Sequence, residues 1–503
     1  MSSIRLVCVT ASLAVFFIAS VASAAVPQWS TATLSEARGG MGSTAVDGLA
    51  IFAGGTLSGG VGVVPTDTVD IYEAATGAWT QASLSVPRSG IGAATVGHLA
   101  IFAGGSLDSD TASDAVDLYD ASTGTWSTAQ LSAPRTGVGA TSVGRYAVFA
   151  GGSLGASGGG ASDVVDVYDA VTGIWSTATI PSATTFVQAA PAGDRVVIFT
   201  DDGFSPLLFF NPADGSSVEL ARPAQLGSDV VVVLAVTPGA FWLVSGAQFM
   251  FPFTTRVLRY DLAAGTWSEP EMLSEARLGV SVGVTSTKLI AAGGLVSLFP
   301  PFDSATVDLF DLQGGEPTSA ALSVQRYIPN VVEVDGQVLF AGGFRSGSTG
   351  SFTSDAVDIY SDTVGAAYCT PAVPNSTGAF ADIRMEGAPG TLADGTVALV
   401  STGLPEGSSG YFLASLTTDV VPGAGGSQGT LCLGGSIGRY AATPFFTGFD
   451  GESTQSVDLA NLPAPMGSAT AMLGETWFFQ AWYRDANPGA TTNFTSGVSL
   501  LIQ

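Results

Sequence analysis

The chain has 503 residues, 65 of them glycine and only 12% of them charged, with a formal charge of −26 at pH 7. That length allows two or three packed cores, and that acidity argues against a nucleic-acid partner or an anionic membrane. One histidine and three cysteines leave little material for zinc or Ser-His-Asp chemistry.

Arg5, the apolar run Val7–Val21 and Ala22-Ser23-Ala24 form the pattern of a secretory signal peptide over residues 1–24, with cleavage expected after Ala24. Cys8 has no lipobox before it, so no lipid anchor is expected. No later run is apolar enough to span a bilayer, and no membrane span is expected.

Residues 25–361 repeat one pattern. An apolar run closes on a Gly pair, as in Ile101–Gly105. A polar loop follows, then an alternating strand ending in Tyr, as in Val116-Asp117-Leu118-Tyr119. A turn with Gly124 leads to Trp126, and a second strand runs to Pro134-Arg135. Period-2 alternation between turn residues predicts short antiparallel strands. Tyr and Trp lie seven residues apart at 72/79, 119/126, 168/175 and 260/267. The apolar-Gly strands end at Gly55, Gly105, Gly152, Gly203, Gly246, Gly294 and Gly343, the units at 203 and 246 being worn.

A four-stranded repeat of roughly 40–50 residues predicts a β-propeller. The Gly pairs, Tyr and Trp resemble the Kelch family, which implies an all-β, seven-bladed propeller. No Trp follows Tyr360 at the repeat distance, whereas QWSTATL (28–34) nearly matches IWSTATI (174–180). The N-terminal strand is therefore expected to complete the last blade and remove an open sheet edge.

Residues 362–367 read as a linker, and 368–503 as a C-terminal β-sandwich. Its strand candidates are 396–401, 410–416, 429–435, 456–460, 476–485 and 497–502. YC (368–369), NSTG (375–378), GGSQGTLCLGGSIGRY (425–440) and GETWFFQAWYRD (474–485) resemble a C-terminal domain of secreted bacterial multidomain proteins, one that implies no particular activity. Trp477, Phe479 and Trp482 are candidates for a sugar platform, although alternation sends one set into the core. Cys369 and Cys432, the only cysteines beyond residue 24, are expected to form a disulfide in an exported protein. Two free buried thiols are the alternative.

His98 sits in a VGHLA turn equivalent to VGRYA (143–147) and reads as a turn residue. A copper radical oxidase on a Kelch propeller would need two histidine ligands. The TGAW-type turns lack the aspartate of a sialidase Asp-box. Asp108, Asp110 and Asp114, or Asp201 with Asp202, lack the fixed spacing of a calcium loop. No cofactor is expected.

One pattern stands out. Arg38, Arg88, Arg135, Arg277 and Arg326 recur at a single repeat position, placed at the start of each first strand. Rotational repetition would gather them on one face near the shaft, where the Kelch resemblance implies partner binding. They are the ligand-binding candidates, for an anion or acidic peptide. The competing role is structural, each guanidinium capping carbonyls of the adjacent blade. The expected function is a secreted or cell-surface, non-catalytic propeller that binds a protein or glycan. A carbohydrate-active enzyme using acidic loop residues is the alternative, and the C-terminal domain also suits an attachment or export module.

Overall fold

The computed structural model describes residues 29–502, apart from 59–63, 156–158, 186, 201–204, 227–229, 238, 247–254, 286, 299–300, 313–315, 348–349, 362, 370–371, 388–396, 449–450 and 487–488. The signal peptide, the acidic pair Asp201-Asp202 and the Gly203 unit end lie outside the described residues. The described chain is all-β and is built of small antiparallel sheets.

The second repeat shows how the sequence makes a sheet. Gly92–Val96, Leu99–Ala103, Ala115–Asp120 and Thr125–Gln130 pair in chain order. Leu99–Ala103 is buried at all but its first residue and Ala115–Asp120 at its centre, Val116–Leu118, and the fourth strand mixes exposed and half-buried residues. Trp126 packs on Tyr119, with centroids 5.0 Å apart, and on Phe102 at 6.0 Å. The pair Gly104-Gly105 then turns with φ of 68° and 107°. A Cβ on Gly104 would stand 2.5 Å from the Arg135 carbonyl oxygen, so glycine is required by both dihedral and space.

The same four-strand order occurs over 42–83, 139–184, 187–220 and 281–321. Residues 230–272 add a short fifth strand to it. The sheet of Asn330–Val334, Gln337–Ala341 and Gly350–Ser361 takes its next strand from Trp29–Gly39. Trp29 pairs with Tyr360, and Thr33 with Ala356, as the QWSTATL match predicts. Trp29 also packs on Tyr360 at 5.2 Å and Phe340 at 6.3 Å, reproducing the triad of Phe102, Tyr119 and Trp126.

First strands meet in succession. Gly42–Val46 packs on Gly92–Val96, which packs on Gly139–Val143, followed by Val187–Ala192, Val230–Thr237, Ser281–Val284 and Asn330–Val334. Asn330–Val334 in turn packs on Gly42–Val46. Apolar clusters fill the seams between successive sheets: Ile51, Val69 and Ile71 of one meet Ala100 and Phe102 of the next. Leu339 and Val357 meet Phe52 and Tyr72 in the same way.

Residues 362–367, expected as a linker, contain strand. Thr363–Val364 pairs with Asp382–Gly387, and Ala366–Tyr368 pairs with Ala490–Leu501. Beyond them, two sheets share one core: Ile383, Met385 and Leu399 of one meet Phe412, Phe479, Tyr483 and Val498 of the other. Arg384 ties this region to the preceding sheet, facing Glu386 at 2.5 Å and Asp335 at 3.4 Å.

Candidate functional site: an aromatic groove beside repeated buried ion pairs

The five repeated arginines are all fully buried. Arg88, Arg135, Arg277 and Arg326 lie just before the first strands rather than at their start. Each reaches the aspartate of a Val-Asp-x-Tyr/Phe strand: Asp117, Asp166, Asp308 and Asp358 respectively, with Arg38 reaching Asp70. The aspartates are themselves 2–3% exposed.

Further donors go to backbone carbonyls. Arg88 Nη1 donates to Gly104 O at 2.7 Å and Ala115 O at 2.6 Å, and Arg38 Nη1 to Gly54 O at 2.7 Å and Thr68 O at 2.6 Å. Arg135 and Arg277 bond the matching carbonyls, while Arg326 uses Phe340 O at 2.8 Å and Val324 O at 3.1 Å. The second carboxylate oxygen accepts the N–H of a serine three residues before the arginine, as Ser85 N donates to Asp117 at 2.9 Å. Burial draws the Arg88 pKa down and Asp117 opposes that shift.

Each arginine also joins two sheets. The carbonyls of Arg38, Arg88, Arg135 and Arg326 accept from the second glycine of the sheet before, as Gly55 N donates to Arg88 O at 2.9 Å and Gly105 N to Arg135 O at 2.8 Å, and that of Arg277 accepts from the Thr255 hydroxyl at 3.1 Å. Each side chain grips the sheet after it. Removing either partner alone would strand a charge in the interior of the junction.

The sheet at 187–220 supplies an internal comparison. Thr184 stands where the arginine would be: Gly152 N donates to its carbonyl at 3.0 Å. Leu208, paired with Ile198, stands where the aspartate would be. Charge and countercharge are absent together. Sequence inspection singled out the arginines and passed over the aspartates, whose joint absence at Leu208 and Thr184 was the available signal.

His98 lies in the turn between its strands, with Nδ1 2.7 Å from Asp47; that hydrogen bond raises its pKa. Asp108 accepts the N–H groups of Asp110 and Thr111 and organises an exposed turn. Among the described residues, no three His, Cys, Asp or Glu side chains gather to hold a metal ion.

A concavity lies in the C-terminal region. Along Thr476–Ala486 the side chains alternate: Trp477, Phe479, Ala481 and Tyr483 enter the core, and Trp482 lies on the opposite face. Two of the three platform candidates, Trp477 and Phe479, are therefore core residues. Trp482 pairs across the sheet with Tyr411, their rings within 18° of parallel and 6.1 Å apart. Phe494 follows on the next strand.

A hairpin of Thr417–Pro422 and Thr430–Gly434 roofs this face. Gln480, fully buried, anchors it: its Oε1 accepts Cys432 N at 2.9 Å, and its Nε2 donates to Thr430 O at 2.9 Å. The Cys369–Cys432 disulfide fastens the same strand. Between roof and sheet lies a cavity of about 400 Å³, lined by Tyr411, Leu413, Leu431, Ile437, Arg439, Trp482, Thr492 and Phe494 together with the glycine-rich turn. Tyr411 and Arg439 carried no signal in sequence, because only strand pairing brings them beside Trp482. Asn375 and Asn493, which open the sequences NST and NFT that match the N-glycosylation pattern, are buried.

Comparison of the chain with protein-family profiles and with curated proteins finds no match.

Proposed function

We propose that this chain is an exported, non-catalytic binding protein acting outside the cell or at its surface. In this reading residues 25–361 form a seven-bladed Kelch-type β-propeller, closed by its N-terminal strand, and 368–503 form a β-sandwich that carries a ligand groove. The circular succession of first-strand contacts and the Trp29–Tyr360 pairing support the propeller. The disulfide and the leader-like N-terminus support export. The arginines serve as joints in the frame.

The observation that carries the binding reading is the roofed groove at Tyr411 and Trp482. Ligand sites are typically concave and apolar with a few placed polar groups, and a disulfide-held roof keeps this one open. The partner class is a protein or a glycan. The test applies the secreted protein to a glycan array and to surface proteins of the producing cell. Retention of an unaltered ligand is expected. Release of a cleaved product would instead support the carbohydrate-active enzyme.

A further inference from the structure

The geometry points to the C-terminal groove as a site for an acidic sugar, a pyranose ring bearing a carboxylate. This assignment rests on the reading that the groove binds a ligand, and it adds the ligand's chemical class.

The lining supplies the argument. In a chain with 42 acidic and 16 basic residues, no aspartate or glutamate among the described residues lines this cavity, and the one charged residue among those lining it is Arg439. Arg439 is exposed, and its backbone pairs with Leu413 on the strand that carries Tyr411. Among the described residues no carboxylate forms an ion pair with it, in contrast to Arg38, Arg88, Arg135, Arg145, Arg277, Arg326 and Arg384. A guanidinium matches a carboxylate in two parallel hydrogen bonds. Here it stands free for one at the mouth of an apolar cavity.

The aromatic pair supplies the second half. Tyr411 and Trp482 are half-buried and nearly parallel, stacked with an offset, so each contributes aromatic surface to the groove. The C–H face of a pyranose is the complementary polar-rimmed, apolar-centred shape for such rings. Thr492 offers a hydroxyl on the neighbouring strand. A volume of about 400 Å³ lies toward the small end of ligand pockets, about 300–1,000 Å³, and suits a mono- or disaccharide unit at a chain end. The net acidity of the surrounding surface would repel such a ligand at long range, so affinity should rise with ionic strength until the Arg439 contact is itself screened.

The experiment is calorimetric titration of the full secreted protein with trigalacturonate, and with maltotriose as the uncharged counterpart. Wild type is expected to bind the uronate and to ignore maltotriose. Trp482→Ala should weaken uronate binding at least tenfold. Arg439→Gln, on an exposed side chain, should abolish the preference for acid over neutral sugar while leaving the melting curve unchanged. Equal binding of both sugars, still lost in Trp482→Ala, would overturn the acidic class and leave the binding reading standing. Uronate binding that neither substitution alters would remove this groove as the site. Absence of saccharide binding would overturn the inference, whereas the binding reading falls only if the protein and glycan screens also fail.

Discussion

Gly343 donates its backbone N–H to the carbonyl of Arg38 at 3.0 Å, joining the two ends of the repeat region. The side chain of the same arginine grips Gly54, Thr68 and Asp70 in the next sheet. One residue therefore repeats, between segments far apart in sequence, the connection that Arg88 and Arg135 make between sheets contiguous in sequence. The N-terminal strand adds a ladder from Trp29 to Thr33 along Ala356–Tyr360.

The buried pairs should behave as coupled units. Arg88→Ala and Asp117→Ala should each cost about 3–5 kcal/mol, because each leaves a charge without its partner in the interior. The double change Arg88→Thr with Asp117→Leu reproduces the combination at Thr184 and Leu208. It should cost clearly less than the two single changes added together. Urea unfolding in a double-mutant cycle measures this. A single arginine change that lowers ligand affinity and leaves stability untouched would assign the position to binding instead.

Trp29→Ala should destabilise the repeat region by about 2 kcal/mol, as expected for truncating a half-buried aromatic packed on Tyr360 and Phe340. Removing residues 25–36 should have a larger effect, exposing the edge of Gly350–Ser361. Limited proteolysis with mapping of the cleavage sites checks it, with cuts first expected beside that edge.

Reduction of Cys369–Cys432 should act locally. The bond spans 63 residues, for which the chain-entropy estimate gives about 4 kcal/mol. Amide exchange should quicken in the hairpin over 417–434 while the repeat strands keep their protection. Free-thiol labelling of denatured, unreduced protein should find neither cysteine; labelling of both would refute the bond.

Glu333 predicts a pH dependence. Its side chain keeps contact with solvent, yet its Oε1 accepts the Val284 N–H at 2.6 Å from the adjacent first strand, and desolvation among the crowded first strands pushes its carboxyl up to about 7 from 4.5. The folded state then holds a proton that the unfolded chain releases, so stability falls as pH rises from about 4.5 to about 7. Glu333→Gln should flatten that decline. Thermal melts of both proteins across this range test it, and identical slopes would remove Glu333 as the cause.

Local pattern carries much of this protein. Strand alternation, the Gly pairs, the Tyr–Trp spacing and the QWSTATL match are short-range signals. They determined the all-β character, the repeat sheets and the pairing of Trp29 with Tyr360. The cysteine pair was legible because only two cysteines follow residue 24. What pattern left open was the surroundings of each side chain. Arg88 has the same letter on a ligand face or under Asp117, and only packing of successive sheets buries both. Trp477 and Trp482 sit five residues apart on one strand, where alternation separates their faces without saying which is inside. Tyr411 and Arg439 meet Trp482 solely through long-range pairing and a hairpin folded over them. Periodicity fixes backbone form locally, whereas burial, ion pairing and cavities depend on contacts between residues far apart in the chain, and these the tertiary structure alone decided.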